Sequence, residues 1–361
     1  MTFRRTLIAL LMLPGLLAGQ AAARGIPAVD LTLSGDASPE LLADIRQALE
    51  RMARRQPKDE SSQFPAPDNG RIDLAQFWKV EQDVPYTLTE DSPRQRLSIT
   101  YPFEGEPPYR TIVHFHGGDW QSGSRHSANS APAYWAIYQG YALVDVGYRL
   151  SDEAQWPAQL QDAKAAIRFL RSNADQYQLD VERVVVMGAS AGGHLAQMLA
   201  ATNGDPVSED PGMGYGEASS EVQGVVSLSG ISDITSMEPE SQDAADQLMG
   251  YPAYQSDLAL EASPMAQVDK DFPPILLVHG GTDQAVPFSQ SAQMAIRVNA
   301  ETGDPRASLN VLLNANHRQT ISTSPEVMAT ILDFVDGLLF PEEGNPHRSA
   351  FYPGIQLTDD D

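Results

Sequence analysis

Ser190 sits in Gly188-Ala189-Ser190-Ala191-Gly192, a serine with small residues on both sides. A serine hydroxyl is a poor nucleophile at neutral pH. It becomes a good one when a base takes its proton, a further group orients that base, and donors await the oxyanion it creates. The flanking residues suit such a serine. Val184 to Met187 is an apolar, mostly β-branched run that reads as a buried strand. Beyond the serine, Leu195, Met198 and Leu199 make an apolar stripe among the helix formers Ala196, Ala200 and Ala201. A serine on a sharp strand-to-helix turn holds strained backbone angles, so its neighbours must be small. The turn lifts the hydroxyl off the sheet, and the free N–H groups of the helix start point at the same spot. The competing reading is a glycine-rich turn that binds a phosphate or nothing, and the partners of the serine decide between the two.

The base should be a histidine, and the chain has seven. His126 lies in a polar loop and His347 in the tail, while His194 follows the serine on its own helix and should point away. His114 and His116 alternate on one predicted strand and face one side, but no carboxylate cluster accompanies them, so no metal site is expected. His279 and His317 each end a predicted strand, and loops at strand ends gather at one edge of a parallel sheet. Asp283, in His279-Gly280-Gly281-Thr282-Asp283, reaches the same edge and is the candidate orienting acid. With His317 as base the chain order is Ser…Asp…His. Ala191 offers one backbone donor to an oxyanion. The loop His116-Gly117-Gly118-Asp119-Trp120 offers others at Gly117 and Gly118, because glycine lets a backbone come close. One such donor is worth roughly 3 kcal/mol in the transition state. Trp120, in the same loop, is a candidate substrate contact.

These residues need a scaffold that brings strand ends together. Thr111 to Phe115, Tyr141 to Val146, Arg183 to Met187, Val222 to Leu228, Ile275 to Val278 and Ser308 to Leu313 are short apolar runs. Helical patterns separate several of them, at Pro132 to Gln139, Pro157 to Asn173 and after Ser190. Strands alternating with helices predict an α/β protein, a mostly parallel twisted sheet with helices on both faces. Val84 to Thr89 and Arg96 to Tyr101 pair as an antiparallel hairpin ahead of it, and Pro325 to Leu339 is a closing helix. Ser232 to Phe272 is too long for this rhythm and reads as a lid-like insertion or substrate wall. The domain is thus expected over 83–340. A helix from Ser38 to Gln56 and a Pro-rich linker precede it, within 24–82, and an acidic tail follows over 341–361.

Residues 1–23 read as a cleaved export signal: Arg4 and Arg5, an apolar run from Leu7 to Leu17 too short to span a bilayer, then Ala21-Ala22-Ala23. A periplasmic or secreted protein without a stable membrane anchor is the expectation. The chain has no cysteine, so an exported form relies on packing alone. Its formal charge of −24 argues against nucleic acid or anionic lipid as partners and suits a neutral or weakly charged substrate. No dinucleotide fingerprint occurs, and no cofactor is expected.

Taken together, the motifs resemble the α/β-hydrolase esterases and lipases. They are most similar to bacterial acetyl and feruloyl esterase-like enzymes and the hormone-sensitive-lipase-like branch. The resemblance runs from about Asp83 to Leu339. It rests on His116-Gly117-Gly118-Asp119-Trp120, Gly147-Tyr148-Arg149-Leu150 with Trp156-Pro157 and Asp162, Gly188 to His194, His279 to Asp283 with Val286-Pro287, and His317. It implies Ser190 as nucleophile, Asp283 as orienting acid, His317 as general acid and base, and a structural role for Tyr148, Arg149 and Asp162. It also implies a small or aromatic acyl ester as substrate, carbohydrate esters included. Asp119 departs from the third glycine usual in the lipase-like branch, which turns the expectation away from bulky lipid esters. The loop also resembles that of kynurenine formamidase-like hydrolases, so an arylformamidase stands beside the esterase, as does a serine exopeptidase. A binding protein that has lost activity would lack a triad member, and none is missing.

Overall fold

The computed structural model describes residues 10–12, 28–32, 43–48, 70–89, 92–237, 239–252, 256–321, 324–342, 344–349 and 357–358. Eight strands carry the site: β1 Val80–Pro85, β2 Arg96–Thr100, β3 Tyr109–Phe115, β4 Ala142–Val146, β5 Leu179–Ala189, β6 Gly224–Leu228, β7 Ile275–Gly280 and β8 Ala307–Leu312. They lie in the order β1-β2-β4-β3-β5-β6-β7-β8. β1, β2 and β4 pair antiparallel, and every pair from β4 through β3 to β8 is parallel. Two further strands extend the sheet beyond β8: Ala28–Thr32 runs antiparallel to it and Leu10–Met12 antiparallel to that. Of the export signal expected over 1–23, the rest lies outside the described residues, as does most of the linker before Gly70. Of the expected helix from Ser38 to Gln56, residues 43–48 are described and are helical.

The short apolar runs form strands because both faces of the sheet are covered, so alternation gives way to continuous apolar sequence. Every residue of β4, β6 and β7 is buried. Along β5, Val184 and Val186 join one core cluster while Val185, Met187 and Ala189 join the other. The first cluster is closed by α1 Ala158–Ser172, α2 Ala191–Ala201 and α3 Phe288–Thr302, through Leu160, Leu195 and Met294 among others. The second is closed by α4 Pro325–Leu339, through Val327, Ile331 and Val335. Ser324 caps α4 by accepting the Val327 N–H, with Pro325 at the first helical position.

The structure moves some expected boundaries. The antiparallel hairpin starts at Val80 rather than Val84, and its first strand carries an irregularity between Glu81 and Val84. Pro132 to Gln139 divides into a single helical turn, Ala131–Tyr134, and a 3-10 turn, Trp135–Gln139. Asp162 accepts from the Arg149 backbone N–H and guanidinium and from the Gln95 amide, each near 2.8 Å. Burial pushes its carboxyl pKa up, even against the Arg149 charge. The pair ties the segment after β4 to α1.

Candidate active site

The turn from β5 to α2 sets Ser190 at φ 54°, ψ −121°, a backbone conformation that side-chain-bearing residues rarely adopt. Sterics explain the small residues around it. A Cβ on Gly188 would lie 2.3 Å from the Gly192 carbonyl carbon, and one on Gly192 only 2.0 Å from the Phe115 carbonyl oxygen. The helix start is therefore pressed against both its own strand and the end of β3. The Ser190 N–H donates to the Leu228 carbonyl at 2.9 Å, which fixes the turn to β6.

The loop after β3 also comes close: a Cβ on Gly117 would stand 2.9 Å from the Ala189 carbonyl oxygen. Gly118 holds φ +118°, where a side chain would collide with the Ser122 backbone. Among the hydrogen bonds of the described residues, none uses the N–H of Gly117, Gly118 or Ala191. Asp119 is exposed and borders the same space. Trp120 does not: it is fully buried and does not line the cavity. Its indole N–H donates to His194 Nδ1 at 3.2 Å, and the rings meet edge to face at 5.1 Å. His194 in turn donates from Nε2 to the Ala262 carbonyl at 2.7 Å, within the Ser232 to Phe272 insertion. The expected substrate contact is thus a buried anchor that ties the glycine loop to α2 and the insertion. Burial lowers the His194 pKa to about 4, so the ring is neutral and its acceptor nitrogen is available to Trp120.

Asp283 and His317 meet as the sequence order suggests. His317 Nδ1 donates to Asp283 Oδ2 at 2.7 Å, while Asp283 Oδ1 accepts the N–H groups of Ala285 and Val286 at 3.0 and 2.9 Å. Burial alone would raise the Asp283 pKa. The His317 hydrogen bond, the nearby imidazoles and the Val286 N–H outweigh it and hold the carboxyl below its usual value. The two loops are also joined by backbone: Thr282 donates to the Ala315 carbonyl from its N–H at 3.0 Å and its hydroxyl at 2.9 Å. His279, the other histidine at this edge, is fully buried behind Asp283. Its Nε2 donates to the Val286 carbonyl at 2.9 Å and its Nδ1 lies 2.7 Å from the Ser291 hydroxyl, so it braces the acid loop. Burial lowers its pKa.

Ser190, His317, Gly117, Gly118 and Ala189 line one cavity of about 200 Å³. The insertion contributes Met237 and Ser241 to its wall. His114, Asn129 and Ser130 line it too, residues that spacing in the sequence did not single out for this place. Among the described residues, no group of three or more His, Cys, Asp or Glu side chains is placed to hold a metal ion, and no helix is long and apolar enough to cross a membrane.

The profile of the BD-FAE family matches residues 97–298, more than half of the chain. The chain belongs to the BD-FAE family. Among relatives of this BD-FAE member, a probable carboxylic ester hydrolase of Mycobacterium tuberculosis, LipM, is 28% identical over 48% of this chain and 41% of its own. Esterase LipC of the same organism is 29% identical over 54% of this chain and 49% of its own. The BD-FAE chain therefore spans about half the length of these relatives. A truncated form of a carbohydrate esterase from gut microbiota is 28% identical, with a TM-score of 0.66 over 73% of this chain and 97% of that one. The fold of the BD-FAE chain is accordingly the α/β-hydrolase fold, its parallel sheet flanked by helices as the sequence implies.

Proposed function

We propose that the protein is an exported serine carboxylic ester hydrolase that acts through an acyl-enzyme on short-chain or aromatic acyl esters, carbohydrate esters among them. One observation carries the reading: a His317–Asp283 pair at 2.7 Å opens into the cavity that holds Ser190 on its strained turn. His317 donates a hydrogen bond from Nδ1 to Asp283, which leaves Nε2 as the base. Ser190 Oγ attacks the ester carbonyl carbon and its proton passes to Nε2. The carbonyl π pair moves to oxygen, where the N–H groups of Gly117, Gly118 and Ala191 receive it. Collapse breaks the bond to the alcohol oxygen, which leaves with the proton from Nε2. Water then repeats the cycle on the acyl-enzyme and frees the acid and Ser190. Asp283 stays ionised throughout and stabilises the imidazolium.

The carbohydrate esterase neighbour and the mycobacterial esterases support ester hydrolysis. The cavity of about 200 Å³ supports a small acyl group. The arginine pair, apolar run and small-residue site of residues 1–23 support export. Hydrolysis of p-nitrophenyl esters from acetate to octanoate, with Ser190→Ala beside the wild type, tests the reading. Highest activity on acetate, lost in the variant, is expected. A wild type inert on every ester but active on N-formylkynurenine would establish the formamidase instead. Inertness on both would leave a serine exopeptidase or a binding protein.

A further inference from the structure

His114 is 3% exposed and belongs to no step above, yet it lines the reaction cavity beside Gly117 and Gly118. It lies on β3 directly beside Asp145 of β4, in register across the parallel pair. Both share the sheet face of Ile112 and Leu143, where Ala189 and Ile321, also cavity residues, belong. His114 Nδ1 is 2.9 Å from Asp145 Oδ1. The other carboxylate oxygen accepts the His126 N–H at 2.8 Å and the Tyr134 hydroxyl at 3.3 Å.

The donors around Asp145 run in one direction. Arg125 donates to the Ser98 hydroxyl at 2.8 Å, and Ser98 lies 3.0 Å from His126 Nε2. His126 Nδ1 lies 2.7 Å from the Tyr134 hydroxyl. Tyr134 donates its one proton to Asp145, so His126 donates from Nδ1 to Tyr134, and in the neutral ring Nε2 accepts the Ser98 proton. Burial would raise the Asp145 pKa, but the histidine hydrogen bonds and charges bring it down to about 2. A buried, ionised carboxylate accepts only, so it holds the His114 proton on Nδ1. In the neutral ring His114 Nε2 then carries a lone pair, and none of the chain's described hydrogen bonds uses it.

We propose that His114 Nε2 accepts a hydrogen bond from a hydroxyl group of the bound ester, so that His114 is a specificity-determining residue and the wall it shares with Asn129 and Ser130 is a subsite for a hydroxylated moiety. This rests on the ester-hydrolase reading. A hydroxyl meets the lone pair, whereas an ester without one leaves a desolvated acceptor unpaired. That asymmetry is worth about 10- to 100-fold in kcat/KM.

His114→Asn is the informative variant, because its amide nitrogen falls near the position of Nδ1 and still donates to Asp145 while Nε2 is removed. Wild type and variant would be compared on two matched pairs: p-nitrophenyl glycolate against p-nitrophenyl acetate, and glycerol 1-acetate against propyl acetate. One pair places the hydroxyl on the acyl side, the other on the alcohol side. The expected result is a preference of the wild type for the hydroxylated member of at least one pair, reduced about tenfold or more in the variant. No preference in the wild type, or an unchanged ratio in His114→Asn, overturns the proposal. A second readout does not depend on turnover: ¹⁵N NMR of histidine-labelled Ser190→Ala should show the His114 Nε2 as unprotonated. A proton on Nε2 overturns the proposal whatever the activity. A wild type inert on all four esters refutes the ester reading, and the NMR result then decides the tautomer on its own.

Discussion

Replacing Ser190 with glycine and with alanine separates the chemistry of this residue from the cost of its geometry. Both variants lack the hydroxyl, so neither should hydrolyse esters. They differ in a single Cβ placed at φ 54°, ψ −121°. Holding a side-chain-bearing residue in such a region costs about 1–3 kcal/mol, and glycine escapes that cost. Glycine also loses about 0.4–1 kcal/mol more chain entropy on folding, which acts against it. Ser190 borders the cavity, so its Cβ packs on one side only and its removal costs little. Ser190→Gly should therefore exceed Ser190→Ala in stability by about 1 kcal/mol, or roughly 2–4 °C in Tm for a domain of this size. Urea unfolding followed by circular dichroism, with equal m-values as the control, gives the difference directly. If Ser190→Gly unfolded at the same denaturant concentration as Ser190→Ala or a lower one, the turn would not be strained and the steric account of its small neighbours would fail.

Gly192→Ala puts a Cβ 2.0 Å from the Phe115 carbonyl oxygen, well inside ordinary contact, so helix and glycine loop must part by about 1 Å. A displacement of that size should lower kcat about 100-fold, with about 1–3 kcal/mol of stability lost, measured by p-nitrophenyl acetate kinetics and thermal melting. Asp283→Asn offers the His317 ring an amide in place of a carboxylate and favours the wrong tautomer. A fall of about 10⁴-fold in kcat with near-wild-type melting is expected. Asp145 titrates at about 2 in the fold, below its ordinary 3.8. It therefore contributes about 2 kcal/mol at neutral pH, fully present above pH 3.8 and lost as pH falls toward 2. Unfolding free energies of the wild type and Asp145→Asn should converge by that amount between pH 5 and pH 2.

The strands were readable because a sheet covered on both faces needs continuous apolar runs, and Val184 to Met187 or Ile275 to Val278 can hardly be anything else. The serine turn was readable for a steric reason, since Gly188 and Gly192 stand where any Cβ would meet backbone. Asp283 and His317 followed from strand ends sharing one edge. What spacing could not show is which strands are neighbours. His114 and Asp145 pair only because β4 lies next to β3 in this register, and no local pattern announces that. Trp120 was misplaced for a similar reason. Its loop faces the cavity, but positive φ at both Asp119 and Trp120 sends the indole inward to His194, which helix periodicity alone had pointed away from the serine without naming its partner. The insertion was legible as extra length, and its Met237 and Ser241 were placed at the cavity only by the fold.

The order of the working groups along the chain has a consequence for when activity can arise during synthesis. The glycine loop and Ser190 are made first, whereas Asp283 and His317 both follow them along the chain. The strands that carry them, β7 and β8, lie side by side in the sheet and are joined to each other by parallel pairing across six residues. A growing polypeptide therefore exposes a serine with no base until β7 and β8 emerge. Parallel pairing over long chain separations is also slow to form. On the ester-hydrolase reading, hydrolytic power should thus switch on only when β7 and β8 dock, and the nascent chain before that point is an inert precursor.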